Sequence, residues 1–145
     1  MPPLLCVLAS LLAVAYVLPA RADSVVLIVS AQSPVRELDS VRLRELFMGF
    51  RIISGGAELR AVRNRSDPRL DEIFLQNVVS LAEVMYERQL LLRKMREGAP
   101  IPKDVMSNDQ VLYEVAHDPL TVSYTWASAA AQRSDIRVMR VLWHD

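Results

Sequence analysis

An uninterrupted apolar run near the start of the chain constrains the fold more than any other feature. Residues 24–29 are Ser-Val-Val-Leu-Ile-Val, and most of them are β-branched. β-Branched residues favour strands, and a strand with one solvated face would alternate apolar and polar side chains. Because residues 25–29 are all apolar, we predict a central strand that is buried on both faces, as in a parallel sheet covered by helices.

Helical patterns alternate with strands along the rest of the chain. Apolar residues at helical spacing predict a helix over residues 40–48 that ends at Gly49, with an inner stripe of Leu43, Leu46, Phe47 and Phe50. Asp67 and Pro68 supply an N-cap and a proline at the first helical position. They predict a second helix, whose inner stripe is Leu70, Ile73, Phe74, Asn77 and Val78.

Two capping boxes predict two further helices. Ser80 and Glu83 open a helix to about residue 96, with an inner face of Leu81, Val84, Met85, Leu92 and Met95. Ser107 and Gln110 open another helix, which carries the apolar residues Val111, Leu112 and Val115. The glycine and two prolines of residues 98–102 predict a loop between these helices.

Three more strands are predicted, at residues 59–63, 120–124 and 136–142. Strands that alternate with helices predict an α/β fold of three layers, in which helices flank a mixed or parallel sheet. The length of the chain predicts one domain. The residues expected in the core include Leu46, Phe47, Ile73, Phe74 and Val122.

Residues 1–22 are predicted to be a cleaved signal peptide. Residues 4–18 form an uncharged apolar run, and the small-x-small motif Ala20-Arg21-Ala22 follows after a proline. The alternative is a retained anchor, although the run is shorter than the roughly 20 residues of a membrane-spanning helix. Cleavage would leave residues 23–145 as a single exported domain that is not embedded in the membrane. The only cysteine of the chain, Cys6, would be lost with the signal peptide.

Charge and motifs argue against several classes of function. The chain has 17 basic and 17 acidic residues, so loss of Arg21 leaves 16 against 17 and no indication of a nucleic-acid partner. The sequence lacks the Gly-x-Ser-x-Gly, His-Glu-x-x-His and Gly-Lys-Ser/Thr motifs of common enzyme classes. The two histidines, His117 and His144, lack the spacing of metal ligands. We therefore predict neither an enzyme nor a metal or cofactor site.

A strand, a basic loop and the start of a helix follow one another at residues 61–74. A strand that leads into a helix directs free backbone N–H groups and the positive end of the helix dipole at the loop, which suits anions. The residues predicted to bind a small oxyanion are Arg65, Ser66 and Arg69. The alternative is structural: Ser66 and Asp67 cap the helix, and the arginines are solvated or pair with neighbouring carboxylates.

Several landmarks in a fixed order resemble one known family. They are Leu43-Arg44-Glu45-Leu46-Phe47-Met48-Gly49, then residues 62–67 with Phe74, then residues 98–102, and finally Val122-Ser123-Tyr124. In this order the landmarks resemble those of the second lobe of the phosphate-type (type 2) periplasmic binding proteins, and above all those of short, single-lobe PstS-like proteins. The most specific element is the Leu-Arg-x-x-Phe-x-Gly helix end.

The resemblance implies solute binding outside the cytoplasm for an ABC importer, with a phosphate-like oxyanion and an ABC permease as partners. The exported domain is expected in the periplasm of a Gram-negative bacterium. Arg65, Ser66 and Asp67 match the start of the family's Arg-Ser-Asp-Gly-Ser-Gly-Thr loop, whereas Pro68-Arg69-Leu70 stands in place of its Gly-Ser-Gly-Thr. The alternative is an interaction module that uses the same lobe as a scaffold for another envelope protein.

Overall fold

The structure is a computed structural model, and it describes residues 23–145. The predicted signal peptide lies outside the described residues. The strands are β1 (Ser24–Ser30), β2 (Ile53–Ser54), β3 (Ala57–Glu58), β4 (Arg60–Asn64), β5 (Lys103–Val105), β6 (Thr121–Trp126) and β7 (Ile136–His144). The helices are α1 (Ser40–Phe47), α2 (Pro68–Phe74), which continues as a π-helical turn (Leu75–Val79), α3 (Glu83–Glu97), α4 (Asn108–His117) and α5 (Ala127–Ala130).

Five strands form one mixed sheet in the order β5-β4-β6-β1-β7. Strands β5, β4 and β6 run parallel to one another, and β1 runs antiparallel to both of its neighbours, β6 and β7. The short strands β2 and β3 form a separate hairpin around Gly55 and Gly56, both of which have positive φ angles. This type of hairpin turn suits glycine because it carries no Cβ.

Helices cover both faces of the sheet, which confirms the predicted three-layer α/β fold. Alternate residues of β1 enter two separate cores: Val25, Leu27 and Val29 face one, and Val26 and Ile28 face the other. The first core lies under α1, α2 and α3, and the second lies under α4 and α5. All five residues expected in the core are buried: Leu46, Phe47, Ile73, Phe74 and Val122.

The sheet differs from the sequence prediction in two respects. Strand β1 is buried on both faces as expected, but β6 is the central strand and β1 has antiparallel neighbours. An apolar run reports burial on two faces and carries no information about strand direction. Strand β5 was not predicted, because its three residues include the polar Lys103 and Asp104.

The predicted inner face of α3 is wrong. Val84, Met85, Leu92 and Met95 are exposed, Leu81 is half-buried, and the buried residues are Tyr86 and Leu90. The buried face is fixed by Tyr86, whose hydroxyl donates a hydrogen bond of 2.6 Å to the carbonyl of Phe47. Its ring also lies edge-on to Phe74 at 5.7 Å. The exposed side of α3 carries more aliphatic residues than the buried side, so the apolar pattern pointed to the wrong face.

The predicted capping box at Ser80 is also wrong. Ser80 ends the π-helical turn with a φ of 55°, which is a left-handed backbone conformation. An N-cap residue has an extended backbone, so Ser80 is not the N-cap of α3. The N-cap of α3 is Ala82, which makes no side-chain capping bond. The carboxylate of Glu83 accepts a hydrogen bond from Arg65 instead of turning back to the backbone of Ser80.

Phe50 lies beyond the end of α1 and is exposed, although it was predicted to be in the inner stripe. The guanidinium of Arg93 lies 3.7 Å from the centre of its ring, so the ring packs against a charged side chain of α3. The capping box at Ser107 is confirmed in part, because Ser107 Oγ accepts from the backbone N–H of Gln110. In the part of the chain that the structure describes, no helix is long and apolar enough to span a membrane.

Candidate anion-binding loop

The predicted loop lies at the edge of the sheet where the three parallel strands end. Strand β4 ends at Asn64 and leads through the loop into α2. Strand β5 leads into α4 through Ser107, and β6 leads directly into α5. Since the parallel strands end at the same edge, three helix starts meet there, and this is the edge at which open α/β sheets bind ligands.

A hydrogen-bond network around Asn64 ties these strand ends together. The buried amide nitrogen Nδ2 of Asn64 donates to Oδ1 of Asn108 and to the carbonyl of Tyr124, each at 2.9 Å. Thr125 Oγ1 donates to the same Asn108 oxygen at 2.8 Å. Asn64, Asn108 and Thr125 lie outside the predicted anion-binding set, although each stands at a predicted strand end or helix start, the position that marks them.

Ser66 and Asp67 make contacts within the protein. Both the hydroxyl and the backbone N–H of Ser66 donate to Oδ1 of Asn64, at 2.6 and 3.1 Å. Asp67 caps α2, since one of its carboxylate oxygens accepts from the backbone N–H of Arg69 at 2.8 Å. Its other oxygen accepts from Nε1 of Trp126 at 3.1 Å. The N-terminus of α2 is therefore already capped by the carboxylate of Asp67.

Arg65 is surrounded by carboxylates. Its guanidinium lies 2.7 Å from Glu83, 3.4 Å from Asp104, 3.7 Å from Asp71 and 3.8 Å from Glu87. A cavity of about 380 Å³ beside the loop is lined by Arg65 together with acidic residues of α2 and α3, among them Asp71 and Glu72. The positive charge of Arg65 is thus compensated within the protein.

A second arginine of this cluster, Arg63, was not predicted to matter. Its side chain is 2% exposed and forms two parallel hydrogen bonds of 2.8 Å with the carboxylate of Asp71. Its guanidinium also lies over the rings of Phe74 and Tyr86, at 5.5 and 5.3 Å from their centres. Burial works against the charged form, but the hydrogen bonds and charge of Asp71 outweigh it and raise the pKa of Arg63.

The tyrosines of this region are neutral at physiological pH. Burial raises the pKa of both Tyr86 and Tyr124. The hydroxyl of Tyr124 accepts a hydrogen bond from the backbone N–H of Asn64 at 3.1 Å. The fixed charges at this edge are therefore those of the arginines and carboxylates: Arg63 and Arg65 against Asp71, Glu83, Glu87 and Asp104.

Arg69 lies in a different environment from Arg65. Its guanidinium packs over the ring of Trp143 at 5.3 Å and lies 3.9 Å from the carboxylate of Asp145. Its side chain is 61% exposed. Among the described residues, the side chains of Arg65 and Arg69 share no ion-pair partner. The structure thus places Arg65 and Ser66 in the loop and Arg69 in the first turn of α2, and gives the three side chains separate contacts.

Two solved structures that share this fold are a transport receptor and a transporter substrate-binding protein. The chain superposes on an ABC-type phosphate transport receptor from Vibrio cholerae with a TM-score of 0.60, at 14% identity, over 82% of this chain and 46% of the receptor. The fold is that of one lobe of a periplasmic binding protein. A phosphate ABC transporter substrate-binding protein with bound phosphate from Clostridium perfringens gives 0.62, at 13% identity, over 82% and 45%.

A third solved structure, PstS from Borrelia burgdorferi, gives a TM-score of 0.58 at 12% identity, over 81% of this chain and 47% of that protein. The chain therefore spans a little under half the length of each of the three proteins. No protein-family model matches the sequence, and neither does any curated protein. At these identities the likeness establishes the fold, with the structural neighbours being substrate-binding proteins rather than enzymes.

Proposed function

We propose that this chain is an extracytoplasmic solute-binding-like protein that binds a phosphate-like oxyanion weakly at Arg65, Ser66 and Arg69. The observation that carries the proposal is the position of the loop, at the ends of three parallel strands and at the start of α2. Ligands of open α/β sheets bind at this edge, and helix starts favour anions. Two of the solved structures with this fold are described as phosphate receptors or substrate-binding proteins, which supports the same ligand class.

Three features of the loop make the expected affinity low. Arg65 would have to give up contacts with carboxylates to reach a ligand, and each carboxylate nearby repels an anion. Pro68 has no backbone N–H to donate. The fold is one lobe, so an ion bound there stays in contact with water. We expect a dissociation constant on the millimolar scale, which corresponds to roughly −4 kcal/mol.

Titration of residues 23–145 with phosphate and with sulfate tests this proposal. NMR at low ionic strength is suitable, because salt screens exposed charges. Charge-assisted hydrogen bonds contribute about 1.5–3 kcal/mol, so Arg65→Ala and Arg69→Ala should each weaken binding at least tenfold. We expect the shifted backbone signals to lie in residues 64–70.

The matched control is Arg42→Ala, which removes one exposed charge from α1, away from the loop. It should bind phosphate as the wild type does. Unchanged binding in both loop variants would mean that the anion binds elsewhere. Absence of binding up to tens of millimolar phosphate would contradict oxyanion recognition and favour an interaction module.

We propose that residues 1–22 direct export to the periplasm and are removed. The apolar run, the small-x-small motif and the fold of a transport-receptor lobe support this proposal. Mass spectrometry of the protein recovered from the periplasm should find Asp23 at the amino terminus. An intact Met1 in the membrane fraction would contradict cleavage and indicate a retained anchor.

An interaction module remains the second candidate, and one observation favours it. Four carboxylates surround the two arginines at the strand ends, so this edge carries excess negative charge where a phosphate receptor needs positive charge. An importer would have a permease and an ATPase encoded beside it. A sensor or a secretion component in that place would favour the interaction module.

A further inference from the structure

Helix α3 has an apolar face that points away from the protein. Val84 is 76% exposed, Met95 is 75% exposed and Leu91 is 56% exposed. Met85 and Leu92 are exposed beside them, whereas the opposite side of the helix is buried through Tyr86 and Leu90. Five large apolar side chains on one helix face are unusual on a protein surface and typically mark a site of association.

The exposed residues follow the seven-residue spacing of a coiled coil. Residues 84, 88, 91 and 95 are separated by four, three and four positions and so form one continuous seam. In this register Val84 and Leu91 occupy d positions, Arg88 and Met95 occupy a positions, and Met85 and Leu92 occupy e positions. The flanking g positions carry opposite charges, Glu87 and Lys94.

We propose that α3 is a dimerisation surface on which a second copy of this chain packs antiparallel to the first. In an antiparallel pair the g positions of the two helices face each other. Glu87 is 54% exposed and lies only at the margin of the arginine cluster, 3.8 Å from Arg65 and 4.0 Å from Arg63. It can therefore lie beside Lys94 of the second copy while Lys94 lies beside Glu87 of that copy, so one two-fold axis creates two ion pairs. The axis passes level with residues 89 and 90, between Arg88 and Leu91 of each copy.

The parallel arrangement lacks this complementarity. A parallel pair would set each g position against an e position, and the e positions are the apolar Met85 and Leu92. In the antiparallel register Val84 packs against Met95 of the second copy. Leu91 packs against the aliphatic stem of Arg88 of the second copy. A charged residue at a single a position is a known device for fixing register.

Analytical ultracentrifugation of residues 23–145 over a range of concentrations tests the dimer. This segment contains all five strands of the sheet and both cores. Met95→Glu should raise the dissociation constant at least about tenfold, because the dimer would set two carboxylates against the apolar Val84 of the second copy. Met95 is exposed in the single chain, so thermal unfolding of this variant at monomeric concentration should match the wild type.

Two control variants separate a specific face from general effects of charge. Val41→Glu introduces the same carboxylate at an exposed apolar position of α1 and should leave the dimer unchanged. Lys94→Glu reverses a g position and should weaken the dimer about tenfold. Arg96→Glu makes the same charge change at a b position, outside the seam, and should have the smaller effect.

Disulfide trapping tests the orientation, because Cys6 is the only cysteine of the chain and lies outside residues 23–145. Leu91→Cys should cross-link to its own copy near the axis. Val84→Cys should not, because the two cysteines would lie about 16 Å apart along the helices. A protein that stays monomeric at millimolar concentration, a dimer insensitive to Met95→Glu, or efficient cross-linking of Val84→Cys would each overturn the proposal.

Discussion

Asp71→Ala is expected to lower the free energy of unfolding by about 3–5 kcal/mol, because it leaves the buried charge of Arg63 without its partner. The guanidinium of Arg63 forms two hydrogen bonds with this carboxylate and is almost fully shielded from water. Urea unfolding followed by circular dichroism measures the change. A loss of this size is a large part of the 5–15 kcal/mol that typically stabilises a domain.

Glu72→Ala is the matched control for this prediction. Glu72 is the next residue of the same helix, is exposed, and accepts only a long hydrogen bond of 3.3 Å from Gln76. It should change the free energy of unfolding by no more than about 0.5 kcal/mol. If Asp71→Ala had an equally small effect, the carboxylates of Glu83 and Glu87, 3.6 and 4.0 Å from Arg63, would be compensating its charge.

A double variant tests whether the unpaired charge of Arg63, rather than the loss of side-chain volume, causes the destabilisation. Replacing both partners, as in Arg63→Met with Asp71→Leu, removes the buried charge together with its counter-ion. Apolar replacements of a complete buried ion pair are often neutral or stabilising. The double variant should therefore recover most of the stability that Asp71→Ala loses, and this non-additivity would identify the unpaired charge as the cause.

The layered fold was predictable because its signals are local. The apolar run of β1, the Asp67-Pro68 start of α2 and Gly49 at the end of α1 each depend on the chemistry of a few neighbouring residues. Burial of β1 on both faces required helices on two sides of the sheet. Strand direction was not predictable, because β1 pairs with β6 and β7 from the far end of the chain.

The orientation of α3 was not predictable because its sequence has two candidate faces. One face carries Val84, Leu91 and Met95, and the other carries Tyr86 and Leu90. Only the contacts of Tyr86 with Phe47 and Phe74, which lie far away in the sequence, decide which face is buried. The surroundings of Arg65 depend in the same way on carboxylates brought from α3 and β5.

The second large effect is expected from Phe74→Ala, which should lower the free energy of unfolding by about 3–5 kcal/mol. The ring of Phe74 is 1% exposed and stacks on Tyr124 with centres 4.8 Å apart. It also meets Phe47 and Tyr86 edge-on, at 5.0 and 5.7 Å. Truncation would leave a cavity between α2 and the sheet and remove three aromatic contacts at once.

Phe50→Ala is the control, since it removes the same phenyl ring from an exposed position beside Arg93. It should cost about 1 kcal/mol or less. Phe74→Ala should also couple to Asp71→Ala, because the guanidinium of Arg63 contacts both the carboxylate and the ring, so the two losses should not add. Equal losses in the two phenylalanine variants would mean that α2, and with it the candidate loop, is not anchored to the sheet through Phe74.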